Sequence, residues 1–289
     1  MVYGLAAAPL AWSLDKNSKA APILLTKSDT LPKETKEYLK ELVKAEHIQN
    51  LKNMTIHIVG GTSVVTESVV EELEDYGFKV KRHGGDNREE TSLEVLEELQ
   101  SRRTNTIYIV GAEGKADAMS VAPVASENRG AIVVAKKGGL SKSAYKEIER
   151  SKGDVKIIGG ESIISVVEEA KLKEITKENG KTVERISGKN RQVTNAAIIK
   201  RFYNFADAVV VAKDRQNKKM DLVDALTAAN LASQKKAPVV LATNKLSYEQ
   251  LNEINKKADN VEALYQIGYG VNINVVAKLA ELLGLPKTF

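Results

Sequence analysis

"RHGGDNREET", Arg82 to Thr91, comes back further along the chain as "RISGKNRQVT", Arg185 to Thr194. Both read R-x-x-G-x-N-R-x-x-T. A pattern kept at fixed spacing in two places means one of two things. Either a folding unit was duplicated and these side chains hold it together, or they grip something that itself repeats. The surrounding sequence shows that duplication is extensive. "IHIVGGTSVV" (Ile56–Val65) is matched by "VKIIGGESII" (Val155–Ile164) and more loosely by "LYQIGYGVNI" (Leu264–Ile273). Each is a β-branched run ending at glycine, followed by a helical pattern. "YGLAAAPLA" (Tyr3–Ala11), "DAMSVAPVA" (Asp117–Ala125) and "DALTAANLA" (Asp224–Ala232) form a second set. Each of these leads into a short apolar run: Ile23, Leu24 and Leu25; Ile132, Val133 and Val134; Val239, Val240 and Leu241. Amphipathic helices opened by Ser, Thr or Pro come next, as in "GLSKSAYKEIERS" and "KLSYEQLNEINKK".

Solenoid repeats are shorter than this, so the repeating element is a domain. Strands alternate with helices, and runs such as "TIYIVG" and "AIVVA" are apolar throughout rather than at every second residue. That is the signature of strands covered on both faces, in a parallel sheet with crossover helices. The expected units span residues 1–79, 80–181 and 182–289. The first opens directly on "GLAAAPLA" and lacks the R-x-x-G-x-N-R-x-x-T segment. A parallel sheet without its first strands exposes apolar edges. The first unit is therefore expected to be N-terminally incomplete, and to be completed by residues ahead of Met1 or by another chain.

The composition is that of a globular protein, with 43% hydrophobic and 28% charged residues, and no apolar run reaches the length of a membrane span. Cysteine is absent, which removes disulfides, thiolate metal sites and Cys nucleophiles. The formal charge of +5 comes from 43 basic against 38 acidic residues, interspersed. Such an excess fits weak attraction to an anionic partner and not the dense basic stripe of a nucleic-acid binder.

Taken in order, R-x-x-G-x-N-R-x-x-T, D-A-[ML]-x-x-A, [IV]-[LV]-[LV] and I-G-G resemble the type 2 cell-wall-binding repeat of clostridial surface proteins, and among these most the surface-layer (S-layer) proteins. The resemblance implies three tandem Rossmann-like units about a pseudo-threefold axis. It also implies non-covalent anchoring to the cell wall through an anionic, phosphate-bearing polysaccharide, without catalysis and without a cofactor. A secreted protein of the wall is expected, with the low-molecular-weight S-layer subunit or further S-layer copies as partners. The units are not uniform: Tyr3 stands where the others have Asp117 and Asp224, Asn230 replaces Pro9 and Pro123, and Gly268-Tyr269-Gly270 replaces the paired glycines.

Several residues are candidates for polymer contact. Arg88 and Arg191 sit where a loop enters a helix, beside Thr91 and Thr194, and a helix N-terminus with an arginine fork suits phosphate. Arg82 and Arg185 open the same motif. The alternative for Arg88 and Arg191 is a structural clamp on a carboxylate, with Asp117 or Asp224 of a neighbouring unit as the expected partner. Those two aspartates are expected to cap their Ala-rich helices. The apolar runs read most simply as buried strands, and only the resemblance makes them polymer-binding candidates. Gly60-Gly61 and Gly159-Gly160 lack the G-x-G-x-x-G of a dinucleotide loop. His47, His57 and His83 have no zinc-ligand spacing. No nucleophile is paired with a base. A binding module is the leading reading; a phosphate-handling transferase and a purely structural lattice protein are its rivals.

Overall fold

The computed structural model describes residues 2–14, 20–45, 52–101, 104–214 and 223–286. Among these residues three separate sheets form, all parallel. The first pairs β1 (Thr55–Val59) with β2 (Lys79–His83). The second contains β3 (Thr106–Gly111), β4 (Gly130–Ala135), β5 (Asp154–Ile158) and β6 (Val183–Ile186) in the order β4-β3-β5-β6. The third contains β7 (Ala208–Ala212), β8 (Val239–Leu241) and β9 (Ala263–Gln266) in the order β8-β7-β9. In both larger sheets the chain begins at an inner strand, crosses to one side, then returns to the other. This is the doubly wound, Rossmann-like arrangement, and its inner and crossover strands β3, β4, β7 and β8 are buried almost throughout because helices cover both faces.

Sheet membership and the repeated motif are offset by one strand. β2 and β6, which carry Arg82 and Arg185, pair with β1 and β5 of the preceding sheet. The helices that follow them, α4 (Arg88–Gln100) and α8 (Arg191–Phe202), pack instead on β4 and β8 of the next sheet. The divisions expected at 79/80 and 181/182 fall at the head of these shared strands.

The three Ala-rich segments become equivalent helices, α1 (Ala7–Leu14), α5 (Lys115–Glu127) and α9 (Val223–Gln234), which pack on one another at the centre of the molecule. Small side chains let the backbones approach, and Ala8, Ala118, Ala122, Ala125, Ala225, Ala229 and Ala232 all lie in one continuous core shared by the three units. Polar bonds cross between units here: the Asn230 amide donates to the Ala21 carbonyl at 2.7 Å, and the Ser233 hydroxyl to the Pro123 carbonyl at 3.3 Å. Separate outer cores lie under each unit. The first is built between β1, β2, α2 (Lys33–Ala45) and α3 (Glu67–Asp75), around Leu39, Ile58, Val69 and Phe78.

Side-chain caps open the remaining helices, two of them at the serine starts expected from the sequence, Ser141 and Ser247. Ser141 caps α6 (Lys142–Arg150), Ser165 caps α7 (Val166–Lys177), Ser247 forms a capping box on α10 (Tyr248–Asn255), and Asn272 caps α11 (Ile273–Leu282). The edge strands β4 and β8 are not left open. Ser92 accepts the Val134 N–H at 3.0 Å, and the buried Asn195 bonds both the Val239 carbonyl and the Leu241 N–H.

Two expectations need correction. Asp117 and Asp224 do not cap their helices: α5 is entered at Gly114, two residues of helix precede Asp117, and α9 begins at Val223. The run Ile23, Leu24, Leu25 forms no strand, because among the described residues no strand lies beside it to supply hydrogen bonds. Ile23 and Leu25 pack on the central core and Leu24 faces outward.

Candidate functional site

The repeated motif resolves into single physical tasks. The Arg82 guanidinium donates to the carbonyls of Gly60 and Val65 and pairs with Glu67 at 2.9 Å. Arg185 does the same one unit on, with Gly159, Ile164 and Glu169, the last at 2.7 Å. Both arginines thus lock the glycine turn of the neighbouring strand to the helix after it. Each also clamps a glutamate of that helix, Glu67 for Arg82 and Glu169 for Arg185. Thr91 and Thr194 are buried, and each hydroxyl accepts a loop N–H, from Gly85 at 3.1 Å and Gly188 at 3.0 Å. Glycine is required there because the loop lies against the helix's first turn: a Cβ on Gly188 would come within 2.6 Å of Val193. Asn87 and Asn190 cap α4 and α8. Four of the five motif letters therefore hold the fold.

The second arginine of each motif remains. Arg88 and Arg191 occupy the first position of α4 and α8 and donate one N–H to a main-chain carbonyl, Ala112 at 3.0 Å and Asp214 at 2.7 Å. These carbonyls follow β3 and β7, so each arginine stands at the C-terminal rim of its sheet, where parallel α/β sheets bind ligands. Beside Arg191 the rim opens into a cleft of about 340 Å³ lined by Asn190, Arg191, Gln192, Asp214, Thr243, Asn244 and Lys245. The carboxylate of Asp214 is already engaged by the Thr243 hydroxyl and the Gln192 amide, and Gln192 also donates to the Lys245 carbonyl. Arg191 keeps further donors, and its side chain is exposed.

The corresponding place in the second unit is filled by acids. Glu89 and Glu90 follow Arg88, where Gln192 and Val193 follow Arg191. Glu89 is buried, accepts the Ser141 N–H at 3.0 Å and faces Lys136 at 3.5 Å. Hydrogen bonds from the Asp86 N–H and the Asn87 amide hold Glu90 below the usual carboxylate range, so it stays ionised. Two carboxylates in the first helical turn satisfy the positive helix end from within.

Asp117 lies between units. It is 7% exposed, its Oδ1 has no hydrogen-bond partner, and burial pushes its pKa up to about 7 against the opposing pull of Arg191. Arg191 therefore acts on Asp117 through charge, and its bond is to a carbonyl. Asp224, its counterpart, pairs with Lys213 at 3.6 Å. Ile132, Val133, Val134, Val239, Val240 and Leu241 are fully buried in β4 and β8. Direct contact with a polymer is excluded for all six by that burial, and they shape the sheets on whose rim the cleft stands.

The sequence reading missed Gln192, Asp214, Thr243, Asn244 and Lys245. Each follows a strand or opens a helix, and only the sheet order brings them together. Sequence spacing gave no sign that His57 and His83 meet, yet they stack with centroids 5.1 Å apart and ring nitrogens 2.8 Å apart. Burial and the neighbouring His57 push His83 down to about 4. His47 lies outside the described residues. No cluster of three potential metal ligands occurs among the described residues, and none of their helices is long and apolar enough to cross a membrane.

The profile of the cell wall binding domain 2 (CWB2) family matches residues 2–70, 82–167 and 185–276. Among solved structures, Cwp8 from Clostridium difficile superposes on 99% of the chain with a TM-score of 0.87 and 40% sequence identity. Cwp6 from the same organism superposes on 99% with a TM-score of 0.82 and 29% identity. The chain covers 46% of Cwp8 and 43% of Cwp6. The N-acetylmuramoyl-L-alanine amidase LytC of Bacillus subtilis (strain 168) is 30% identical over 239 residues, which are 82% of this chain and 42% of LytC. The chain thus spans less than half the length of these relatives. With the family matched in all three units and the fold shared throughout, the chain belongs to the cell wall binding domain 2 family and is a surface-associated, cell-wall-binding protein built of tandem repeats.

Proposed function

We propose that the chain anchors a surface protein, of the S-layer type or another, by holding an anionic wall polysaccharide in the cleft of the third unit. The observation that carries this reading is Arg191. It is exposed at the start of a 12-residue helix whose first turn contains no acid, and it faces a cleft at the sheet's C-terminal rim. The helix dipole and a guanidinium fork both favour phosphate or carboxylate. The second unit, whose own glutamates fill the same place, contributes folding and spacing. The three units are then unequal in binding although they are alike in fold.

Sedimentation of the chain with purified walls tests this. Binding is expected to weaken steadily with added salt, since exposed charges are screened beyond about 8 Å at physiological ionic strength. It is expected to disappear from walls stripped of their anionic polymer and to fall sharply for Arg191→Ala. Salt-independent binding, or Arg191→Ala binding equal to the parent, would refute the reading.

A further inference from the structure

Two tyrosines on the rim of the third unit stand almost free of the protein. Tyr269 is 93% exposed and Tyr248 is 80% exposed. They belong to different segments of the third unit. Tyr248 opens α10, three residues after the cleft residue Lys245, and Tyr269 lies in the turn after β9. The two loops are tied by a hydrogen bond from the Asn272 N–H to the Thr243 carbonyl at 2.7 Å.

Both rings sit on fixed supports. Ser247 and Gln250 form a reciprocal capping box around the start of α10. Tyr269 is flanked by Gly268 and Gly270, with φ of +77° and +92°. Those left-handed glycines press the turn against its neighbours, since a Cβ on Gly268 would collide with the Asp224 carboxylate and one on Gly270 would touch Lys213. The turn is held by its glycines, and the ring between them projects outward. Neither tyrosine is needed to fill a core.

Both are also peculiar to this unit. The second unit has Lys142 and Gly160 at the matching positions, and the first has Lys33 and Gly61. In a chain with only 5% aromatic residues, two exposed rings stand on the segments after β8 and β9, at the rim whose cleft holds the exposed Arg191. An immobilised aromatic face beside a polar cleft suits a ligand with one apolar face and many hydroxyls, because tyrosine offers a flat apolar surface and a polar tip. Sugar rings have that character, presenting C–H groups on one face and hydroxyls around the edge.

We propose that Tyr248 and Tyr269 are stacking platforms for sugar rings of an anionic glycan whose charged substituent sits in the cleft beside Arg191. This rests on the reading of that cleft as the polysaccharide site, and it assigns the sugar contact to the third unit alone.

The test uses the full chain and the anionic polysaccharide released from purified walls by mild acid, with inorganic phosphate as a second probe. Affinity electrophoresis is expected to show about tenfold weaker binding for Tyr248→Ala and for Tyr269→Ala, the loss of one aromatic contact. Tyr269→Phe, which keeps the ring, is expected to bind like the parent, and thermal unfolding of all three is expected to be unchanged. Saturation-transfer NMR is expected to show transfer from the aromatic protons to sugar C–H groups, and phosphate alone is expected to bind far more weakly than the polymer. If both alanine variants bind the polymer like the parent while Arg191→Ala loses it, stacking is overturned and the cleft assignment stands. If Arg191→Ala also binds like the parent, the cleft assignment itself fails.

Discussion

Replacing Asp117 by Asn is expected to stabilise the protein, and to do so in a pH-dependent way. The carboxyl is 7% exposed, one of its oxygens has no partner, and its pKa is pushed from 3.8 to about 7. A folded-state pKa above the unfolded one means that the native protein binds this proton more tightly. Acidification therefore stabilises the parent protein, from the folded pKa down to the unfolded one. Above about pH 7 the full cost of a buried charge is present, about 4 kcal/mol at about 1.4 kcal/mol per tenfold difference in the ionisation constant. At pH 5 the native carboxyl is protonated while the unfolded one is still ionised, and about 1.5 kcal/mol remains. The Asn variant has no such charge, although its amide must find partners of its own at a cost of about 1–3 kcal/mol. That second term does not depend on pH, so the change in the gap between the proteins is the clean quantity. Urea unfolding at pH 8 and pH 5 is expected to show the advantage of Asp117→Asn shrinking by about 2–3 kcal/mol. A gap that stays constant across this range would refute the reasoning, because it would mean that the carboxylate is ionised in the native protein without penalty. In an Arg191→Ala background the shrinkage should be larger, since the cation that opposes the upward push is gone.

His83 gives the opposite sign. Its pKa is depressed to about 4, so its contribution is present above its unfolded value of 6.5 and lost as pH falls toward 4. His83→Gln is expected to flatten acid destabilisation in that window by about 2 kcal/mol, followed by urea unfolding. Thr194→Val leaves the Gly188 N–H without its acceptor and is expected to cost about 1–2 kcal/mol in thermal unfolding, most of it recovered by Thr194→Ser. Arg185→Ala removes a half-buried clamp on two carbonyls and a glutamate and is expected to cost about 2–3 kcal/mol, whereas Arg191→Ala should change stability by less than about 1 kcal/mol. Wall sedimentation should rank the same two variants in reverse, with Arg191→Ala the weaker binder.

Much of the fold was legible because the repeats sample one solution more than once. The apolar runs that became β3, β4, β7 and β8 gave parallel sheets, and the caps Ser141 and Ser247 marked real helix starts. What failed were features that depend on a neighbour. "PILLT" has the composition of a strand, but hydrogen-bonded pairing makes a strand, and no described segment pairs with Ile23 to Leu25. Asp117 looked like a cap because it is the first polar residue before "AMSVA", yet the helix already begins at Lys115. At the site, the motif presents its arginines and its threonine as equals, and packing divides them: Arg185 and Thr194 turn inward while Arg191 turns outward. The residues across the cleft, Thr243 to Lys245, carry no pattern in the sequence. Only the crossover from β7 to β8 puts them opposite α8.

The one-strand offset between motif and sheet has a mechanical consequence. Because each shared strand is stitched to the sheet behind it while its helix is bedded on the sheet ahead, adjoining units overlap like courses of brick. A pull along the chain that tries to separate neighbouring units must strip an edge strand out of a parallel sheet, shearing all its backbone bonds together, instead of straightening a slack linker. A single unit excised at the sequence repeat would leave one sheet short of a strand and carry an orphan strand of its own. Under load, that interlock makes the row of units yield as one body.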